Sequence, residues 1–88
     1  MDVIQMNKYI EIHGDKWKLK DIQEELDWCK NQKWELKTYT KKDDHEHCRI
    51  CFWTIGISDD PEIGQAYWNQ GNHWLCQECY KKFIKKTV

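Results

Sequence analysis

Two C-x-x-C pairs are the strongest candidates for a chemical site in this 88-residue chain. The pairs are Cys48-Arg-Ile-Cys51 and Cys76-Gln-Glu-Cys79, and the stretch between them is long enough for a β-hairpin. A C-x-x-C turn lets two sulfurs converge on one ion, so two such pairs are typical of a tetrahedral thiolate zinc site. We therefore predict one structural Zn(II) ion, bound by Cys48, Cys51, Cys76 and Cys79. Four thiolates fill a tetrahedral shell and leave no position for a substrate.

Histidines near the cysteine motifs are further candidate ligands. His47 directly precedes Cys48, and neighbouring side chains of extended backbone point to opposite faces, which favours a surface position for this ring. Sites with three cysteines and one histidine exist, so a replacement ligand role for His45 or His47 stays open. A second, catalytic metal on His45, His47 and His73 requires ligands from separate loops, and we do not expect it.

Two enzyme classes with related motifs do not fit the sequence. A zinc deaminase needs H-x-E before P-C-x-x-C, whereas here His45-Glu46 is followed directly by His47 and no proline precedes either cysteine pair. A nuclease of the His-metal finger type needs an open metal site on the helix, where this chain has cysteines suited to a closed one. We predict that the protein is not an enzyme.

Composition indicates a small domain in a reducing compartment. The chain has 14 basic and 15 acidic residues, five cysteines and six tryptophans. Two metal-binding pairs and one spare thiol fit a reducing environment better than a disulfide framework. The N-terminal segment has no apolar signal region, and we expect a cytoplasmic protein. The spare thiol, Cys29, is expected to be a buried small hydrophobe.

Hydrophobic periodicity predicts the elements that position the cysteines. Residues 9–13 alternate like a strand or extended arm that ends at the Gly14-Asp15 turn signal. An apolar stripe predicts a helix over about 18–31, capped by Asp15 or Asp21. The stripe consists of Leu19, Ile22, Leu26 and Cys29.

Strands are predicted at 34–40 and 52–57, with a turn at 59–64. Residues 66–68 and 73–75 are expected to flank a loop and to pair back on 52–57. The C-terminal segment is predicted to be helical, with Cys76, Cys79, Tyr80, Phe83 and Ile84 on one face. Its lysines, Lys81, Lys82, Lys85 and Lys86, are largely on the other. The predicted fold is a single α+β domain over 1–88, with an N-terminal arm, helix and strand over 1–44 and a zinc-binding part over 45–88.

The order of knuckle, hairpin and helix, with the second cysteine pair in the first helical turn, resembles the treble-clef class of zinc fold. Knuckles of that class usually read C-P-x-C-G, whereas Phe52 follows Cys51 here, so this knuckle departs from the pattern. The wider pattern H-C-x-x-C with W-L-C-x-x-C-Y, here residues 47–51 and 74–80, is similar to a group of small bacterial proteins. The segments Gly14-Asp-Lys-Trp-Lys-Leu and Glu25-Leu-Asp-Trp28 belong to the same resemblance. Some members of that group look like immunity proteins that neutralise a neighbouring toxin, which implies a protein partner.

An acidic helix face is the candidate surface for that partner. Trp28 falls off the apolar stripe, on the side of Asp21 and Glu24, and a large aromatic among acids is typical of a hot spot for a basic protein. The alternative is that Trp28 packs on the N-terminal arm or the hairpin while the acids are solvated. The sequence thus favours a zinc-stabilised protein-binding module.

The alternative function is a nucleic-acid-binding, zinc-finger-like regulatory protein. The basic C-terminal end and exposed aromatic rings would support it. The near-neutral net charge and the single arginine, Arg49, count against it, because phosphate binding needs positive charge.

Overall fold

A computed structural model describes residues 8–85 and shows a small α+β fold in which short antiparallel strands and short helices surround a four-cysteine cluster. The strands are β1 (Tyr9–Ile12), β2 (Asp15–Lys18), β3 (Glu35–Thr38), β4 (Glu46–His47), β5 (Thr54–Ile55), β6 (Gln65–Asn69) and β7 (His73–Leu75). The helices are α1 (Leu19–Lys30), α2 (Pro61–Gly64) and α3 (Gln77–Cys79), and α3 continues into the π-helical segment Tyr80–Ile84. The predicted α+β class is confirmed, and the expectation for Lys86 lies outside the described residues.

Strands β1 and β2 form a hairpin that ends in a two-residue turn. His13 and Gly14 occupy the turn, with φ of 49° and 82°. Positive φ at both central residues is the signature of a type I′ turn, whose twist matches that of the flanking strands. The predicted strand at 9–13 is confirmed over Tyr9–Ile12, and its partner β2 is a strand that the sequence pattern does not predict. This turn holds His13 at the tip of the hairpin.

Helix α1 begins directly after β2 and buries the predicted apolar stripe. Ile22, Leu26 and Cys29 are buried, while the fourth member of the stripe, Leu19, is partly buried. The prediction that Asp15 or Asp21 caps the helix is wrong, because Lys18 occupies the N-cap and makes no side-chain capping bond. The first residue of α1 is hydrogen-bonded to the start of the hairpin, since the Leu19 N–H donates to the Lys8 carbonyl at 2.9 Å. Asp15 therefore belongs to β2 and Asp21 to the first helical turn.

A three-stranded antiparallel sheet has the order β3-β6-β7. Residues in β3 confirm part of the predicted 34–40 strand, and they pair with β6 from Glu35 opposite Trp68 to Thr38 opposite Gln65. The prediction that β6 and β7 pair back on residues 52–57 is wrong. The two strands pair with each other instead, with Trp68 opposite Trp74.

The predicted 52–57 strand is only two residues long, because it belongs to a different hairpin. Strand β5 pairs with β4, with Glu46 opposite Ile55 and His47 opposite Thr54. The first cysteine pair is the turn of this hairpin and reverses the chain between β4 and β5. The predicted turn at 59–64 contains the short helix α2, whose N-cap Asp60 side chain accepts a hydrogen bond from the Glu62 N–H.

The hydrophobic core brings these pieces together around the cysteines. All five cysteines are buried, together with apolar residues from α1, β5 and β7 such as Leu26, Ile55 and Leu75. Most of the tryptophans pack around this core and are only partly buried, whereas Trp74 is buried within it. The cluster of sulfurs is therefore part of the core and not an appendage to it.

Candidate metal centre

The first cysteine pair lies on a tight turn held by backbone hydrogen bonds. The Phe52 N–H donates to the Cys48 carbonyl at 2.9 Å, and the Cys48 N–H donates to the Trp53 carbonyl at 2.8 Å. The Ile50 N–H lies 3.4 Å from the Cys48 sulfur and donates to it. Phe52 has a φ of 64°, which is the left-handed conformation that a glycine at this position would adopt easily. The missing glycine therefore does not prevent the turn from forming.

The second cysteine pair opens the C-terminal helix, as predicted. Cys76 is the N-cap of α3, and its sulfur accepts a hydrogen bond from the Cys79 N–H at 3.4 Å. A sulfur at this position takes the place that a serine or aspartate oxygen usually has at an N-cap. Both sulfurs of the pair thus lie in the first turn.

The four sulfurs have the spacing of a metal site. One sulfur from each of Cys48, Cys51, Cys76 and Cys79 lies within 4.8 Å of all the others, and the Cys51 and Cys76 sulfurs are 3.7 Å apart. Zinc–sulfur bonds of about 2.3 Å at tetrahedral angles place sulfurs roughly 3.8 Å apart. None of the four cysteines forms a disulfide. Buried thiolates so close together would be unstable unless a cation compensated their negative charge. The donor set therefore fits one thiophilic metal ion.

Hydrogen bonds among the sulfurs already favour one thiolate. The neighbouring Cys51 thiol, followed by those of Cys76 and Cys79, holds the pKa of Cys48 far below its usual range. A bound metal cation would likewise lower the pKa of the cysteines, and it would stabilise all four as thiolates.

The histidines of the two motifs lie outside the sulfur cluster. His47 is exposed, and its Nδ1 is 3.1 Å from the Phe52 carbonyl. The exposed His45 ring packs edge-on against the His47 ring, with centroids 4.9 Å apart. His73 Nδ1 is 2.7 Å from the Arg49 guanidinium. Within residues 8–85, the four cysteines are the cluster of potential ligands that the fold assembles, and these three histidines do not join it.

One histidine that the sequence interpretation did not single out does reach the cluster. His13, at the tip of the β1–β2 hairpin, has its Nε2 atom 3.3 Å from the Cys76 sulfur. Its backbone N–H donates to Glu78 Oε2 at 3.0 Å, and its ring stacks on Trp53 with centroids 3.6 Å apart. The sequence near His13 indicates only a turn at Gly14. It does not predict the contact with Cys76, because that contact depends on how the hairpin docks on the rest of the fold.

The spare thiol behaves as a core residue. Cys29 is fully buried on α1, and burial, followed by the nearby Glu25 carboxylate, raises its pKa from 9.0 to about 12. A thiol that stays protonated near neutral pH is a poor nucleophile. The prediction of a buried small hydrophobe is confirmed.

Trp28 is half-buried and packs within the molecule. Its ring lies edge-on to His73 at 4.9 Å, and the Arg49 guanidinium sits 4.3 Å above its ring. Arg49 also donates from Nε to Glu25 at 2.8 Å, so this arginine ties the first cysteine turn to α1. The contact with His73 places Trp28 against β7 of the β6–β7 hairpin. Packing on the hairpin was the alternative to a partner-binding role that the sequence left open for this residue. Asp21 and Glu24 are exposed on α1, as the partner-surface hypothesis requires.

An open groove of about 430 Å³ separates α1 from the first cysteine turn. Its lining includes three large aromatic residues, Trp17 from β2, the exposed Phe52 and the buried Trp74 of β7. The carboxylates of Asp21, Glu25 and Glu46 also line it. The groove is therefore apolar in part and acidic in part, and it continues the exposed acidic face of α1.

In comparisons with known proteins, no family model, no curated protein and no solved structure matches this chain. None of the helices among residues 8–85 has the length and apolar character needed to cross a membrane.

Proposed function

We propose that this chain is a non-enzymatic, zinc-stabilised protein-binding module that meets a basic protein partner through its acidic face. The observation that carries the proposal is the groove beside the four-sulfur cluster, because it joins exposed aromatic surface to carboxylates on a scaffold held by the cluster. This acidic face consists of Asp21 and Glu24 on α1, the half-buried Trp28, and the groove that Phe52 lines.

Zinc is the ion that the donor set favours. Four thiolates suit Zn(II), which takes a tetrahedral shell of sulfur ligands in closed structural sites. Such a site holds backbone segments together and has no open position at which to activate water or a substrate. The arrangement of cysteine turn, β6–β7 hairpin and helix supports a treble-clef-like fold.

The charge of the groove supports a basic partner. Arg49 pairs with Glu25 at 2.8 Å, so this carboxylate is compensated within the molecule. Asp21 and Glu46 make no ion pair with any residue among 8–85. Uncompensated carboxylates around an apolar centre give electrostatic complementarity to Lys or Arg side chains, while aromatic rings supply contact area.

The partner class follows from the resemblance to small bacterial immunity proteins. As an immunity protein, the module would inhibit a toxin encoded by a neighbouring gene. Its acidic face would cover a basic surface of that toxin. The nucleic-acid alternative gains less support, since Lys82 of the basic C-terminal end is already paired with Glu78 at 2.9 Å.

The test is a binding measurement with the purified product of the adjacent gene. We expect Glu24→Lys to weaken the complex about tenfold, equivalent to about 1.4 kcal/mol, mainly through slower association that depends on salt. Trp28→Ala should weaken it as well, and native mass spectrometry should show that both variants keep their metal.

Glu35→Lys is the matched control, because it reverses an exposed charge on β3 outside the groove. It should bind like the wild-type protein. Unchanged binding by both Glu24→Lys and Trp28→Ala would remove the acidic face from the proposal, and absence of any complex would count against the toxin form of it.

A further inference from the structure

The tip of the β1–β2 hairpin touches the sulfur cluster through the His13 side chain. His13 Nε2 lies 3.3 Å from the Cys76 sulfur, although the two residues are far apart in sequence. A metal-bound cysteine is a thiolate and can only accept a hydrogen bond, so a ring nitrogen at this distance must carry the proton. When a metal ion is bound, the contact is therefore a donation from His13 to the sulfur.

The His13 ring is held in this orientation from several sides. It stacks on Trp53 at 3.6 Å between centroids, with the two rings only 8° from parallel. The backbone N–H of His13 donates to Glu78 Oε2, and ring Nδ1 lies 3.5 Å from Glu78 Oε1. Glu78 is fixed in turn by Lys82, which also donates to the Glu11 carbonyl on β1.

We propose that His13 is a positioning residue of the metal centre, which donates a hydrogen bond to the metal-bound thiolate of Cys76 and thereby fastens the β1–β2 hairpin to the ion. The inference rests on the metal of the proposed function. Four thiolates around one dication leave a net negative centre, and a donor to one sulfur delocalises part of that charge. The hydrogen bond also fixes the position of the hairpin, and with it Trp17, which lines the groove.

The position of His13 allows a closely matched pair of variants. Asparagine adopts the left-handed conformation of residue 13 readily, but its amide is too short to reach the sulfur. Glutamine places an amide N–H near the position of the imidazole Nε2 and restores a donor. Both variants lose the stack on Trp53, so the difference between them reports the hydrogen bond.

The experiment measures zinc affinity by competition with a chromophoric chelator, together with amide exchange of β1 and β2 in the metal-loaded proteins. We expect His13→Asn to weaken zinc binding about tenfold, as loss of an outer hydrogen-bond partner of a metal ligand does elsewhere. We expect His13→Gln to bind zinc more tightly than His13→Asn, because its amide restores a donor to the sulfur. Exchange at the hairpin amides should be faster in His13→Asn than in His13→Gln.

A spectroscopic readout separates the donor role from simple packing. In the cadmium-loaded wild-type protein, the ¹⁵N shift of His13 Nε2 should be that of a protonated nitrogen, and the ¹¹³Cd resonance should shift in His13→Asn and return towards wild type in His13→Gln. An unprotonated Nε2, or equal zinc affinities for the two variants, would overturn the inference while leaving the four-cysteine site intact. Failure of the wild-type protein to bind zinc at all would overturn the inference and the proposed zinc site together.

Discussion

Phe52 has a backbone conformation that is unfavourable for its residue type. Its φ of 64° lies in the left-handed region, and its side chain is 68% exposed. The turn needs this conformation, since it allows the Phe52 N–H to bond back to the Cys48 carbonyl. The left-handed region costs an L-residue roughly 1–2 kcal/mol relative to glycine. An exposed ring recovers little of this through burial, so phenylalanine is less favourable for stability at this position than glycine would be.

Replacing Phe52 with glycine should therefore stabilise the metal-loaded protein. We expect Phe52→Gly to raise the free energy of unfolding by about 1 kcal/mol, because the left-handed penalty disappears and the greater chain entropy of glycine offsets part of the gain. In a domain of this size, that change raises Tm by about 4–8 °C. The measurement is thermal unfolding at saturating zinc.

Phe52→Ala is the matched control for this substitution. Alanine also lacks the exposed ring but keeps the conformational penalty of an L-residue, so its Tm should stay well below that of Phe52→Gly. Equal Tm values for the glycine and alanine variants would contradict the backbone argument. If Phe52 serves the acidic face, both variants should also bind the partner less tightly, although one of them is more stable.

At the scale of elements, the sequence predicted those that carry their own periodic signal. The apolar stripe from Leu19 to Cys29 located α1 to within a residue at each end, and the spacing of the cysteines predicted the sulfur cluster. Strand pairing was predicted less well. Residues 52–57 look like one strand, yet the left-handed Phe52 turns the chain so that only Thr54–Ile55 pairs, and with β4.

The contact of His13 with the Cys76 sulfur could not be predicted from the sequence for a similar reason. Local pattern shows a turn at Gly14, whereas the contact arises from the docking of the hairpin on α3. The helix cap was missed because propensity favoured Asp15 or Asp21, while the β2 strand runs on to Lys18 and fixes the start of α1 there. Tertiary contacts overrode local preference in both cases.

The uncapped start of α1 gives a prediction about that element. Lys18 is the N-cap residue and makes no side-chain hydrogen bond to the first turn. Lys18→Ser should place a hydroxyl oxygen near the free N–H groups of Lys20 and Asp21, and should add about 1 kcal/mol to the free energy of unfolding. Urea unfolding at fixed free zinc measures the gain, and amide exchange at Lys20 and Asp21 should slow.

Lys18→Ala is the control, since it removes the same side chain without adding an acceptor. The serine variant should be more stable than the alanine variant by the full capping contribution. If the two variants unfold at the same urea concentration, α1 does not need a cap, and its start would be held by the Leu19 N–H bond to the Lys8 carbonyl instead.

At the scale of the whole molecule, the elements next to the sulfur cluster are very short. Strands β4 and β5 have two residues each, and α3 has three before its π-helical segment. Hairpins and helices of these lengths are not stable alone in water. The sulfur cluster joins the β4–β5 hairpin to α3, and His13 joins the β1–β2 hairpin to the same point.

Metal removal should therefore unfold most of the chain rather than loosen one loop. A structural zinc ion contributes on the order of 10 kcal/mol, which is comparable with the whole net stability of a typical domain, roughly 5–15 kcal/mol. We expect a chelator to abolish the near-ultraviolet circular dichroism of the tryptophans and to remove amide protection in β3 and β6, which contain no ligand. Added zinc should restore both signals. Cys29→Ala should show the same dependence on metal, since Cys29 is not one of the four clustered sulfurs, whereas Cys79→Ser should fold poorly even with zinc. A metal-free protein, verified by native mass spectrometry, that keeps its tryptophan signal and its β3–β6 protection would show that the core is stable by itself. In that case the cluster would have to be explained by something other than stability.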